Sequence, residues 1–98
     1  MTHRLIIRPE AEAELTEASR WYEEQAPGLG ERFLDSVGAC LASSQDNPML
    51  YPVIHEDVRR SLTRRFPYCV FYLVRHDTVV VLAFLHASRN PEHWQRRR

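Results

Sequence analysis

Arg59, Arg60, Arg64 and Arg65 crowd into the stretch VRRSLTRRF, and His86, Arg89, His93 and Trp94 follow near the C-terminus. Guanidinium groups make paired contacts with phosphate or carboxylate oxygens. An aromatic ring can stack a nucleobase, and a histidine titrating near neutrality can carry the proton in metal-free RNA cleavage. The same residues also have a plainer reading. The arginines would be the solvated rim of an outer strand, Trp94 a lid on the core, and His86 a strand-end residue with its hydrogen bonds met. Clustering of four arginines on one strand favours contact with a partner.

Other chemistries find little support. His3, His55, His76, His86 and His93 are scattered, and no Cys/His group has zinc spacing. Cys40 and Cys69 fall on apolar stripes, where thiols are packing residues rather than nucleophiles. No Gly-rich phosphate loop, G-x-S-x-G elbow or H-E-x-x-H motif occurs. The sequence therefore implies neither a metal nor a cofactor. The apolar block at the N-terminus is only Leu5–Ile7, too short for a signal peptide, and no apolar run reaches the length of a membrane span. With two cysteines and no secretory signal, the expected setting is a reducing cytoplasm with free thiols, away from the membrane.

Charge is divided along the chain. The formal net charge is zero, yet residues 1–50 carry four arginines against nine carboxylates, and residues 51–98 carry nine against four. There is no lysine. An acidic first half beside a basic second half suits an acidic partner on the basic side.

The elements that must position these groups follow from periodicity. His3–Ile7 is a short strand candidate. Pro9 suits a first helical turn, and Ala11, Leu15, Ala18 and Tyr22 trace one helical face that should end near Gln25-Ala26, before Pro27. After the break Pro27-Gly28-Leu29-Gly30, the residues Phe33, Val37, Cys40, Leu41 and Ser44 mark a second helix that stops by Asn47-Pro48. Tyr51–Ile54 reads as an edge segment because of Pro52. Alternation from Val58 to Phe66 reads as a polar outer strand. Tyr68–Val74 and Thr78–Leu85 are apolar throughout, as strands buried on both faces are, and His76-Asp77 joins them as a hairpin turn. The expected fold is a single α+β domain in the order β-α-α-β-β-β, with a mostly antiparallel sheet and a helical hairpin on one face. Two helices shield only one face of that sheet. The second face, partly closed by Trp94 and the tail, is expected to leave an apolar groove rimmed by arginines, which calls for a partner.

Several segments together resemble a known family. They are A..EL..A..WYE.Q.PGLGERF over 11–33, NP..YP over 47–52, VRR over 58–60, RFPYCVFY over 65–72 and VLAFLHASRNPEHW over 81–94. In this order and spacing they resemble the RelE/ParE superfamily of type II toxin–antitoxin toxins, in its ParE-like branch of plasmid stabilisation proteins. The resemblance implies the β-α-α-β-β-β fold and a cognate antitoxin, encoded next door, whose acidic C-terminal segment wraps the toxin. It places the antitoxin- or target-binding residues at Arg59, Arg60, Arg64, Arg65, Arg89 and Trp94.

Within the superfamily, RelE-like members cut mRNA on the ribosome, and ParE-like members poison DNA gyrase. Cys69 follows Tyr68 where the RelE branch has an arginine, and Leu62 stands where it has a second basic residue. Its C-terminal tyrosine falls near Trp94-Gln95, and no tyrosine follows Tyr72. Arg60 and Arg89 match basic positions and, with His86, are the candidate catalytic residues should the chain be an RNase. Positive groups that stabilise a pentacoordinate phosphate are missing where that mechanism needs them. The resemblance therefore implies a ParE-like toxin acting on a protein target such as gyrase. A ribosome-dependent mRNA endoribonuclease and an inactive antitoxin-binding module are the alternatives.

Overall fold

A computed structural model describes residues 3–89, 92–95 and 97, with Glu92 and His93 described in backbone only. The expected α+β architecture is what forms. Strand β1 (Arg4–Ile7) leads into helix α1 (Pro9–Gln25) and helix α2 (Leu29–Asp46), then a 3-10 turn over Pro48–Leu50. Strands β2 (Val53–His55), β3 (Val58–Leu62), β4 (Tyr68–Arg75) and β5 (Thr78–His86) follow, and a short helix α3 (Glu92–Gln95) closes the described chain. The five strands lie in the order β1-β5-β4-β3-β2, with β1 parallel to β5 and the other pairs antiparallel. Among the described residues, no helix is long and apolar enough to cross a membrane.

The hairpin of α1 and α2 depends on two glycines. Gly28 sits at φ +84°, a left-handed geometry that favours glycine, so the chain can leave α1 and enter α2 within three residues. Gly30 lies where the helices nearly touch: a Cβ there would stand 2.6 Å from the Ser19 carbonyl oxygen. Glu23 closes the turn from the other side, its carboxylate accepting the N–H groups of Gly28 and Gly30 at 2.9 and 3.1 Å. Carboxylates at this helix N-terminus also favour its dipole.

The hairpin covers one face of the sheet. Tyr22, Phe33, Phe66 and Tyr68 interlock there with ring centroids 4.9 to 6.1 Å apart, mostly edge to face. Val70, Tyr72, Val79, Val81 and Phe84 continue this core along β4 and β5.

The second face is closed in part by Trp94, as expected. Trp94 of α3 is 0% exposed and stacks on Phe71, with centroids 4.9 Å apart and planes at 23°, while Ile6 and Leu62, opposite Val80 and Cys69 on the same face, stay exposed. Val58, Cys69, Leu73, Leu82, Ala83 and Leu85 are buried around it. The short helix, too brief to show in hydrophobic periodicity, supplies the missing cover. Trp94 Nε1 finds no hydrogen-bond partner among the described residues, a cost of about 1–3 kcal/mol that the stacking must offset.

Strand β3 also differs from its sequence reading. It stops at Leu62 rather than continuing to Phe66. Thr63 turns the chain: its N–H bonds the Tyr68 carbonyl at 3.1 Å and its hydroxyl bonds the Phe66 carbonyl at 2.9 Å. Arg65 takes the left-handed region at φ +70°, and Pro67 has no N–H to offer a ladder. Arg64 and Arg65 therefore stand on a turn, not on a strand. The outermost strand is β2, at the Pro52 edge anticipated from the sequence.

The close approach at Gly30 makes a paired prediction. Gly30→Ala should destabilise the chain by about 1–3 kcal/mol in urea unfolding, since backbone must move to admit the methyl group. Gly38, also inside α2 but with nothing within 4 Å of an added Cβ, is the control. Gly38→Ala should raise stability by about 0.5–1 kcal/mol.

Candidate functional site

The arginines divide into those used internally and those left exposed. Arg59 is half-buried and donates to the carbonyls of Met49 and Tyr51 at 3.3 and 2.6 Å, so it holds the loop before β2 rather than waiting for a partner. Arg75 pairs with Asp57 at 2.8 Å. Arg97 pairs with Glu14 through two contacts, at 2.8 and 3.1 Å. By contrast Arg60, Arg64, Arg65 and Arg89 are exposed, and their guanidiniums make no hydrogen bond or ion pair among the described residues. Of the six residues expected at an interface, these four are presented to solvent. Arg59 is engaged, and Trp94 is enclosed in the second core.

Strand register decides which candidate catalytic groups can meet. Arg60 lies opposite Phe71, and His86 lies opposite Tyr68. Phe71 and Tyr68 are three residues apart on β4, so their side chains project to opposite faces. Arg60 consequently shares the α3 side of the sheet, and His86 the helix-hairpin side. The structure does not bring them together. A bulge contributes to this separation: the pairing shifts between Phe71 and Tyr72, leaving Leu82 and Ala83 both in the second core and resetting the alternation before His86.

His86 instead joins Tyr68 and Arg89. Its ring meets Tyr68 edge-on at 5.6 Å, and its Nδ1 lies 2.8 Å from Ser88 Oγ and accepts the Ser88 N–H at 3.1 Å. Burial raises the Tyr68 pKa, and the nearby Arg89 charge partly lowers it. Tyr68 was read from the sequence only as a strand residue. Its alignment with His86 depends on register, which composition does not reveal. Cys69, at the position where a basic residue was sought, is buried with its thiol pKa raised by desolvation. It is a neutral packing residue. His93 falls outside the described side chains. Among the described residues, no group of three or more His, Cys, Asp or Glu could hold a metal ion.

A groove of about 770 Å³ opens between α2 and the end of β3, lined on one side by Arg32, Asp35, Ser36 and Ala39 and on the other by Leu62 and Arg65. Its floor includes Cys40, whose thiol is raised by burial and sits 2.9 Å from Ser61 Oγ. Sequence reasoning overlooked Arg32 and the small polar flank of α2. The spacing of Arg32, Ser36, Ala39 and Ser43 at about one helical turn was a usable signal, hidden by attention to the apolar stripe.

With this geometry in hand, the comparisons fit one family. A sequence model described as ParE toxin of type II toxin–antitoxin system, parDE, matches residues 5–91. The chain belongs to the ParE toxin family. Two solved structures share its fold. One is the chromosomal ParDE toxin–antitoxin system from P. aeruginosa, with a TM-score of 0.63 and 16% identity over 87% of this chain and 96% of that one. The other is the RelBE2 toxin–antitoxin complex from Mycobacterium tuberculosis, with a TM-score of 0.60 and 18% identity over 88% of this chain and 99% of that one. No curated protein matches the sequence.

The loop that frames the groove is anchored by Tyr72, whose hydroxyl donates to the Pro48 carbonyl at 2.6 Å. Burial pushes its pKa from 10 up to about 12, against a lowering contribution from Arg59. Above pH 10 the unfolded chain loses a proton that the folded chain retains, so rising pH favours unfolding. Stability should fall between about pH 10 and 12, and Tyr72→Phe should flatten the part of that fall due to this residue. Denaturant unfolding across the range, with phenolate absorbance recorded in parallel, measures it.

Proposed function

We propose that this ParE-family chain is a toxin that acts by binding a protein target, with DNA gyrase as the candidate, and is neutralised by a cognate antitoxin carrying an acidic C-terminal segment. The observation that carries the reading is the placement of Arg60 and His86 on opposite faces of the sheet. Phosphate cleavage needs a proton carrier and positive charge converging on one atom. Here the Arg60 guanidinium and the His86 imidazole are separated by the sheet, and Cys69 contributes no charge between them. What the surface offers instead is a set of exposed guanidiniums, unpaired among the described residues and suited to carboxylates on another protein. One structural relative is a toxin–antitoxin system and the other a toxin–antitoxin complex, which supports an antitoxin as the regulating partner.

A second reading has one observation in its favour. His86, Tyr68 and Arg89 gather at one end of the sheet, and a ribosome-dependent mRNA endoribonuclease could use such a group. Burial raises the Tyr68 pKa, so near neutrality that hydroxyl keeps its proton and less of the basic phenolate is present than for an unperturbed phenol.

The readings separate on purified material. Added to DNA gyrase, the chain should inhibit supercoiling, and added to translating ribosomes it should leave mRNA intact. Cleavage of mRNA in the ribosomal A site with unimpaired supercoiling would overturn the proposal. Absence of both effects, together with tight antitoxin binding, would mark an inactive binding module.

A further inference from the structure

Two backbone carbonyls beside the groove between α2 and the turn after β3 are already taken. The Leu62 carbonyl accepts the Cys40 thiol at 3.8 Å, and the Arg64 carbonyl accepts the Ser36 hydroxyl at 2.6 Å. Polar side chains on the floor are matched to one another as well. The Cys40 thiol meets Ser61 Oγ at 2.9 Å, and the Ser43 and Tyr51 hydroxyls stand 2.6 Å apart. What the groove leaves unmatched is charge. Arg32, Arg64 and Arg65 line it against the single carboxylate of Asp35, an excess of two positive charges. All three arginines are exposed, and their guanidiniums make no hydrogen bond or ion pair among the described residues.

The backbone beneath these charges is fixed. Thr63 Oγ1 donates to the Phe66 carbonyl at 2.9 Å, and Ser36 ties the same turn to α2. The Phe66 ring is wedged against Tyr22 and Phe33, with centroids 4.9 and 5.3 Å away. A ligand therefore finds a site that needs little reordering. Its chemistry follows from the lining. Guanidiniums only donate, so the ligand must supply acceptors, and three of them around one cavity call for negative charges set close together. Linked phosphates concentrate charge in this way and suit paired contacts from arginine. Peptide carboxylates carry one charge each, spread along a chain. Leu29, Leu62 and Phe66 add an apolar wall, and a volume of about 770 Å³ is that of a site for a cofactor-sized molecule.

We propose that this groove binds a nucleoside di- or triphosphate, its phosphate oxygens held by Arg32, Arg64 and Arg65 and its base lying against Leu29, Leu62 and Phe66. The hydroxyls of Ser43 and Tyr51 also line the cavity and suit those of a ribose. Phosphate contact supplies most of the charge-dependent affinity, and the apolar wall separates a nucleotide from free phosphate. Binding of this kind depends only on the groove and its charges, and not on which target the chain acts upon.

Amide spectra of the nitrogen-15-labelled full chain, titrated separately with ADP, pyrophosphate and adenosine in metal-free buffer, test this. ADP should shift the amides of Arg32, Ser36, Leu62 and Arg64 to saturation. It should bind about tenfold tighter than pyrophosphate, and adenosine should bind more weakly than either. Arg64→Ala and Arg65→Asn should each weaken ADP about tenfold. Asparagine is the choice at position 65 because it tolerates the left-handed backbone there. Arg20→Ala removes an equal charge from an exposed position on α1 outside the groove and should leave the affinity unchanged. The same spectra show whether each variant is folded. No shift with ADP at millimolar concentration would overturn the proposal. Shifts scattered over arginines outside the groove, or an equal loss with Arg20→Ala, would reduce the effect to general charge and overturn it too. Equal affinity for pyrophosphate and ADP would overturn the place given to the base. A response to hexaglutamate with none to ADP would assign the groove to an acidic protein segment instead.

Discussion

The bulge in β5 governs more of this molecule than any other local feature. It leaves Phe84 with its N–H directed away from β4, past the point where β1 has ended at Ile7. Glu14 of α1 accepts that N–H at 3.2 Å, and Arg97 donates to the Leu82 carbonyl at 3.1 Å while pairing with Glu14. The ion pair thus stands in for a missing strand. Both side chains are largely buried, at 17% and 21% exposed, so the pair depends on the hydrogen bonds to backbone that accompany it. Through Arg97 the C-terminal segment is held against the sheet, in the position from which Trp94 covers Phe71. The same bulge resets the side-chain alternation that carries His86 to the opposite face from Arg60. Cover of the second core and separation of the two candidate catalytic groups therefore have one origin.

A division of labour among charges follows. Near the acidic helices, Arg97 is consumed in seating the tail. At the opposite edge, Arg59 and Tyr72 fasten the loop from Pro48 to Pro52 through carbonyl groups. Among the described arginines of the second half, those left unspent lie at the end of β3, on the turn after it and in the turn after β5. Net charge conceals this local excess.

Much of this was legible in the residues. The helix boundaries followed from Pro9, Pro27 and Pro48, and the central strand pair from the unbroken apolar runs of β4 and β5. The edge status of β2 followed from Pro52. The end of β3 was not legible, because alternation in RRSLTRRF continues past Leu62 while a hydrogen bond from Thr63 reverses the chain. Trp94 as a lid on the core was legible, but the four-residue helix that carries it leaves no periodic trace, and the ion pair between residues 14 and 97 that holds the tail joins positions far apart in the chain. A partner is now called for mainly by guanidiniums that have no partner among the described residues. Facing of Arg60 and His86 required the register of three strands and a bulge, which the sequence pattern does not encode.

The account holds that this chain works by contact and not by chemistry on phosphate. Growth arrest on expression of the His86→Ala variant tests this most directly, with melting temperature and cellular level of the protein matched to the unaltered chain. Arrest as strong as that of the unaltered chain is the predicted result. Arrest abolished in a folded, equally abundant variant would contradict the account.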